Sequence, residues 1–106
     1  MRVLFDQGTP VPLRQALANH TVSTAFEVGW AELENGELLN AAEAAFDVLI
    51  TTDQNLRYQQ NLSGKRLAIR VLPTTSWPII QTHVAAVRAA VNGLRPGGFR
   101  ELLFSK

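Results

Sequence analysis

Asp6 and Asp53 each close a short apolar run, Val3-Leu4-Phe5 in the first case and Val48-Leu49-Ile50-Thr51-Thr52 in the second. Both runs are rich in residues suited to strands buried on two faces, and each precedes a helix-compatible stretch, so they read as parallel strands of one α/β sheet. Two carboxylates then share the C-terminal edge of that sheet, where open parallel sheets bind ligands and neighbouring strands lie about 4.8 Å apart. The chemistry such a pair suggests is capture of a hard divalent cation, Mg²⁺ or Mn²⁺, which takes two or three carboxylate oxygens and completes its octahedron with water. A third ligand is expected from a helix start above the same edge. Glu37, just after Gly36, is the first choice and Glu34 the reserve. A cation held there would orient and deprotonate a water and neutralise charge developing on a phosphate. Each acid also has a purely structural reading, in which Asp6 closes a turn, Asp53 caps the helix that follows and Glu37 answers a helix dipole.

The elements that must position these residues follow in the order β-α-β-α-β-α-β-α-β. This predicts one domain over residues 1–106 with a three-layer α/β/α sandwich, a mainly parallel five-stranded sheet and right-handed crossovers. Thr9 is expected to cap a helix that has Pro10 at its first position and Leu13, Ala16 and Leu17 on its buried face. Residues 20–25 read as a second strand, and 26–34, with Gly29 and Trp30, as a short helix or structured loop. Asn35 is the expected N-cap of the next helix, which buries Leu38, Leu39, Ala42, Ala45 and Phe46. A third strand at 47–51, a short helix from Asp53 to Gln60 and a fourth strand at 66–72 follow. Ile80, Val84, Val87 and Val91 then predict one long helix ended by Asn92-Gly93, and 99–104 a last strand at the sheet edge.

At 106 residues the chain is long enough to bury a core without staples. It contains no cysteine, which excludes disulfides, thiol catalysis and cysteine-ligated metals. The apolar start is too short and too soon charged for a signal peptide or a membrane span, so a cytoplasmic protein is expected. Charge is unevenly spread: residues 1–53 hold two basic and eight acidic groups, a net −6, and residues 54–106 eight basic and one acidic, a net +7. An acidic half that gathers cations and a basic half that holds a polyanion would suit metal-dependent phosphodiester chemistry, while lobes of opposite sign could equally attract within the fold or across a homodimer. Arg57, Lys65 and Arg66 follow Asp53 closely and could hold a phosphate backbone beside the cation, or simply form a solvated basic face. Thr51 and Thr52 could hydrogen-bond an aspartate or a metal-bound water. His20 and His83 lack a second histidine at ligand spacing. Trp30, Trp77 and Tyr58 read as core before they read as base-stacking residues.

Asp6 with Thr9-Pro10, the Gly29-Trp30 pair, Asn35-Gly36-Glu37-Leu38-Leu39 with Ala42, Leu49-Ile50-Thr51-Thr52-Asp53 with Asn55-Leu56, and Tyr58-Gln59-Gln60-Asn61-Leu62 together resemble the small PIN-like proteins of the DUF5615 class. The resemblance covers most of residues 1–72. It implies a PIN-type fold, an acidic cluster holding Mg²⁺ or Mn²⁺, single-stranded RNA as substrate, and the role of toxin in a toxin-antitoxin pair with a small antitoxin partner. Asp6, Glu37 and Asp53 match its acidic positions. Where such proteins often carry Asp-Glu-Asn-Leu-Pro after the first strand this chain has Asp6-Gln7-Gly8-Thr9-Pro10, and where they often carry Asp-Gly-Glu-Leu it has Asn35-Gly36-Glu37-Leu38. Both departures put an amide for an acid. The fourth acid of many PIN nucleases is missing too, with Asn55 as its neutral stand-in on the metal or its water. Two other readings remain: a catalytically weak PIN-like module that works through a protein partner, and a receiver-like phosphoacceptor. The latter needs an acidic pair where Gln7 stands and a lysine at the end of the last strand, where only Lys106 is present.

Overall fold

Alternation along three apolar runs builds the sheet. Val3 and Phe5 of β1 (Arg2–Phe5), Val48 and Ile50 of β3 (Val48–Thr51) and Ala68 of β4 (Ala68–Val71) face one side. Leu4, Leu49, Ile69 and Val71 face the other. Both sides are covered, which is why these strands read as continuous apolar runs and not as alternating ones. With β2 (Thr21–Thr24) and β5 (Phe99–Glu101) they form a five-stranded, wholly parallel sheet in the order β2-β1-β3-β4-β5. The computed structural model describes residues 1–56, 64–93 and 95–104.

Helix α1 (Asn35–Ala45) lays Leu38, Leu39 and Ala42 on the Leu4 side. The Val3 side is covered by a 3-10 helix (Val11–Leu17), α2 (Trp77–Gln81) and α3 (Val84–Asn92), through Leu13, Leu17, Ile80, Val87 and Val91. The expected three-layer α/β/α sandwich is therefore present. Among the described residues no helix is long and apolar enough to cross a membrane.

Local structure departs from expectation at three places. The first helix is 3-10, entered from Pro10, and the Thr9 side chain does not cap it. Residues 26–34 take the structured-loop alternative of the expectation, forming turns with no helix. The single long helix predicted through Val91 is broken into α2 and α3. Thr82 turns back on the Ile79 carbonyl with both its N–H (3.1 Å) and its hydroxyl (2.8 Å), and His83 leaves helical geometry to stack on Phe104 with ring centroids 4.4 Å apart. Finally, β5 ends at Glu101, short of the predicted 104. The crossovers also differ in hand. Both the α1 connection from β2 to β3 and the α2–α3 connection from β4 to β5 advance toward the β5 edge, but on opposite faces, so one has the opposite hand to the other. Uniform right-handedness, the usual rule for parallel crossovers, does not hold here. The α2–α3 segment packs on the 3-10 helix and on Val3 and Ile50, and this apolar surface sets its path.

Candidate functional site

The chain leaves β1 toward β2 and leaves β3 toward β4, in opposite directions across the sheet. The crevice between β1 and β3 is thus the topological switch point, where ligands of open α/β sheets bind. Asp6 and Asp53 follow these two strands.

Asp6 extends the β1–β3 ladder by one bond, its N–H donating to the Ile50 carbonyl at 3.2 Å. Its half-buried carboxylate is gripped at both oxygens. The Thr9 hydroxyl lies 2.7 Å from Oδ1, and the Thr51 hydroxyl donates to Oδ2. Thr9 and Thr51 are themselves only 3% and 2% exposed, so both hydroxyls are fixed by packing. The Thr9 hydroxyl also lies 2.9 Å from the Ile50 carbonyl, and its single proton is shared between the two acceptors. Thr51 Oγ1 in turn accepts the Asp53 backbone N–H at 3.1 Å. A relay therefore runs from the Asp53 amide through one hydroxyl to the Asp6 carboxylate. Gly8 passes so close over Thr52 that a Cβ there would overlap the Thr52 hydroxyl, which accounts for a residue without a side chain in this turn.

Beyond β3 the Asp53 Oδ1 accepts the Asn55 N–H at 2.9 Å, an Asx turn that orders the exit from the strand. Gln54 ties the same exit to the end of β4, donating to the Thr52 carbonyl at 3.2 Å and to the Leu72 carbonyl. A groove of about 290 Å³ opens beside Asp6 between Gln7, Gly8, Trp30, Ala31 and Leu33. Gln7 forms part of its wall by donating to the Ala31 carbonyl at 2.7 Å, and Trp30 is held edge-on against Phe46 at 5.9 Å. A smaller recess of about 90 Å³ borders Asp6, Thr9, Val11, Thr24 and Phe26. Next to it Glu27 accepts from Arg14 and from the Thr24 N–H, and these bonds, led by that from Arg14, hold its carboxyl below the usual range.

Asp6, Glu37 and Asp53 do not form one metal-holding group, and Glu37 is engaged at its own helix start. The helix N-cap is Glu34, one residue earlier than expected, which puts Glu37 at the third helical position. There the two acids form a capping box: Glu34 accepts the Glu37 N–H, and Glu37 Oε1 accepts the Glu34 N–H at 3.3 Å. Both carboxylates are committed to the start of α1. Among the described residues no group of three or more His, Cys, Asp or Glu side chains lies close enough to hold a metal ion.

Lys65 and Arg66 sit elsewhere. They immediately precede β4 and so lie at the N-terminal edge of the sheet, a strand length of about 13 Å from the Asp6 rim. Lys65 Nζ donates to Asn40 Oδ1 at 3.3 Å, and Arg66 Nη1 lies 3.7 Å from Asp47 Oδ1. Glu43 clamps this edge by accepting the N–H groups of Arg66 and Leu67, both at 2.7 Å. The expectation that Lys65 and Arg66 hold a backbone beside the Asp6 site is corrected accordingly. Arg57 lies outside the described residues, as does the second half of the short helix expected from Asp53 to Gln60. Thr9 is the positioning residue missed in the sequence; its signal was the spacing Asp-x-x-Thr, in which a hydroxyl can return to the carboxylate that opens the turn.

A three-carboxylate cage is not present among the described residues, whereas Mg²⁺ is usually carried by one or two carboxylates with water and substrate phosphate completing the shell. Ligating carboxylates are normally oriented by hydrogen bonds of their own, as Asp6 is by its two threonines. No protein-family model, curated protein or solved structure matches this chain.

Proposed function

We propose that the chain is a PIN-like ribonuclease dependent on Mg²⁺ or Mn²⁺, hydrolysing phosphodiester bonds of single-stranded RNA in the cytoplasm as the toxin of a toxin-antitoxin pair. One observation carries the reading: at the switch point of a parallel sheet, the Asp6 carboxylate is half-buried with both oxygens oriented by the hydroxyls of two buried threonines. Asp6 is the principal cation ligand and Asp53 the second; Asn55 lies on the same turn as Asp53. When bound, the cation would supply an activated water and neutralise charge on the phosphate. Thr9 and Thr51 hold the Asp6 oxygens in place, and the groove beside Trp30 receives the substrate next to them. Glu37 has no part in the chemistry.

A second reading is favoured by the capping of Glu37 and by the placement of Lys65 and Arg66: a catalytically weak module that acts through a protein partner. Phe26 (79% exposed) and Val11 (54% exposed) border Asp6 and would give such a partner an apolar hold.

Cleavage of single-stranded RNA by purified protein, with RNA affinity read in parallel, separates the two. The nuclease reading expects cutting in Mn²⁺ and none in chelator. It further expects a loss of roughly 10²-fold in Asp6→Asn, the scale on which a group stabilising developing charge acts. Lys65→Ala and Arg66→Ala should cut as wild type. Cleavage that survives Asp6→Asn refutes the site. Absence of both cleavage and Mn²⁺ binding leaves the partner-binding reading in possession.

A further inference from the structure

Among the described residues Phe26 is the one aromatic ring left exposed to water, and it belongs to neither apolar cluster of the core. A single exposed ring needs no explanation by itself, but this one is fixed at the Asp6 rim. The Ala25 N–H donates to the Phe5 carbonyl at 2.8 Å, which ties the end of β2 to the end of β1, one residue before Asp6. The Trp30 N–H then returns to the Ala25 carbonyl at 2.8 Å. Between them Gly29, at φ +81°, turns the chain and donates its N–H to the Phe26 carbonyl at 3.1 Å. One closed loop anchored beside Asp6 therefore carries two rings, Phe26 and Trp30.

Each ring borders its own recess. Trp30 and Leu38, of the α1 side, line the groove of about 290 Å³, whereas Phe26 lines the recess of about 90 Å³ with Val11, the first residue of the 3-10 helix on the other side. Asp6, Gln7 and Ala25 line both, so the two recesses adjoin at the carboxylate. Their shared walls decide what fits. Gln7 donates through Nε2 to the Ala31 carbonyl; a carbonyl only accepts, so Oε1 is the amide atom left over, and it takes no hydrogen bond among the described residues. An apolar side chain of a protein partner would strip water from this oxygen and from the Asp6 carboxylate without replacing it. A nucleobase has flat apolar faces and a polar edge, and in unpaired RNA both are free. Among the described residues no lysine or arginine lines either recess, so a strand lying there is held by its bases and by the cation.

We propose that Phe26 and Trp30 are stacking platforms for two unpaired bases of the RNA, one on each side of the phosphodiester brought to Asp6. This rests on the ribonuclease reading and adds to it the way the substrate is selected. Paired RNA keeps its bases stacked on their neighbours and has no free faces to offer, while the order of bases matters little because every base has a face to stack. Trp30 is braced for this by Phe46, with ring centroids 5.9 Å apart, and Phe26 is free of the core.

The test measures binding and cleavage of a single-stranded RNA oligomer by the whole chain in Mg²⁺, with 2-aminopurine placed at each position in turn so that its fluorescence reports stacking. Quenching is expected at the two positions that flank the cleaved bond. Phe26→Ala should weaken binding by about tenfold, the scale of one lost base–ring stack, and relieve the quenching at one of the two positions. Phe26→Trp should bind as wild type and Phe26→Leu as the alanine variant. An abasic nucleotide at the position relieved in Phe26→Ala should weaken binding to wild type and not to that variant. Trp30→Leu should behave likewise at the other position; because Trp30 packs on Phe46 its Tm is read alongside, and Phe26 carries the test if that variant unfolds. Wild-type affinity in Phe26→Leu would make the patch an apolar hold for a protein partner and overturn the proposal, as would equal affinity for duplex RNA. RNA that is bound and cut equally well by Phe26→Ala overturns this proposal alone, whereas no RNA binding in Mg²⁺ or Mn²⁺ removes the ribonuclease reading and the platforms with it.

Discussion

Replacing Thr51 by Val tests the relay that organises the Asp6 rim. The two side chains are nearly isosteric and Thr51 is fully buried, so the substitution opens no cavity and removes only the hydroxyl. That hydroxyl donates to a carboxylate, an interaction of about 1.5–3 kcal/mol, and its loss leaves the Asp53 N–H without its acceptor at a cost of roughly 1 kcal/mol. The gain from burying a methyl in its place is about 0.8 kcal/mol. Asp6 is half-buried and partly screened, which discounts the charged bond toward the lower end of its range. The net expectation is a loss of about 2 kcal/mol, or a fall in Tm of roughly 10 °C for a domain of this size. Urea unfolding at neutral pH and calorimetry both read it. In an Asp6→Asn background the same substitution should cost about half as much, since the charged acceptor is gone. If Asp6 holds a cation, Thr51→Val should also weaken Mn²⁺ binding by on the order of tenfold, as the loss of an orienting hydrogen bond does. A stability within about 0.5 kcal/mol of wild type, or equal costs in the two backgrounds, refutes the relay, because surface-like effects are of that size.

Gly97 has φ +75° and its Cβ position lies 2.9 Å from the Lys65 carbonyl, whereas Gly64 has the same φ with open space around it. Gly64→Ala should therefore cost about 1 kcal/mol from backbone strain alone and Gly97→Ala at least about 2, with the difference in urea midpoint measuring the clash. At Glu43, burial alone would raise the carboxyl, but the N–H donors of Leu67 and Arg66, with the charges of Arg66 and Lys65, outweigh it and hold its pKa below the usual value. A depressed folded pKa gives stability that is present above the unfolded value and lost as pH falls through the folded one. Glu43→Gln should accordingly flatten the loss of stability between about pH 5 and pH 3 while leaving the curve above about pH 6 parallel to wild type.

The parallel sheet could be read from the sequence because β1, β3 and β4 put apolar residues on both faces, with Arg70 the one charge within β4, a pattern that amphipathic helices do not share. The break between α2 and α3 could not, since Ile80, Val84, Val87 and Val91 keep helical spacing straight through it; the break is stabilised by a ring stack between His83 and Phe104 that no local pattern encodes. The misplacement of Glu37 turned on one residue. With Asn35 as N-cap the acid would have been at the second helical position, whereas with Glu34 as N-cap it is at the third and folds back on its own helix. Lys65 and Arg66 were misplaced for a different reason. Proximity to Asp53 in sequence suggested proximity in space, but in a parallel sheet the chain must return to the opposite edge before the next strand begins. Residues directly before β4 are at its N-terminal edge however soon they follow β3.

This geometry changes what the uneven charge of the chain can do. Among the described residues, the acidic first half and the basic second half do not meet as two poles around Asp6. Instead, Arg66 of the second half is spent on Glu43 and Asp47 of the first, at the far edge of the sheet, and Arg14 is spent on Glu27. Among the described residues, neither recess beside Asp6 is lined by a lysine or an arginine. A polyanion approaching that rim meets the Asp6 carboxylate, whose described partners are hydroxyls and not cations, and is repelled by it unless a divalent cation intervenes. The ribonuclease reading therefore requires the cation to supply attraction as well as chemistry, so RNA affinity at this rim must vanish in chelator together with cleavage. RNA that stays bound in chelator would have to be held at a basic surface away from Asp6. In that case the carboxylates at the switch point would not be what recognises it.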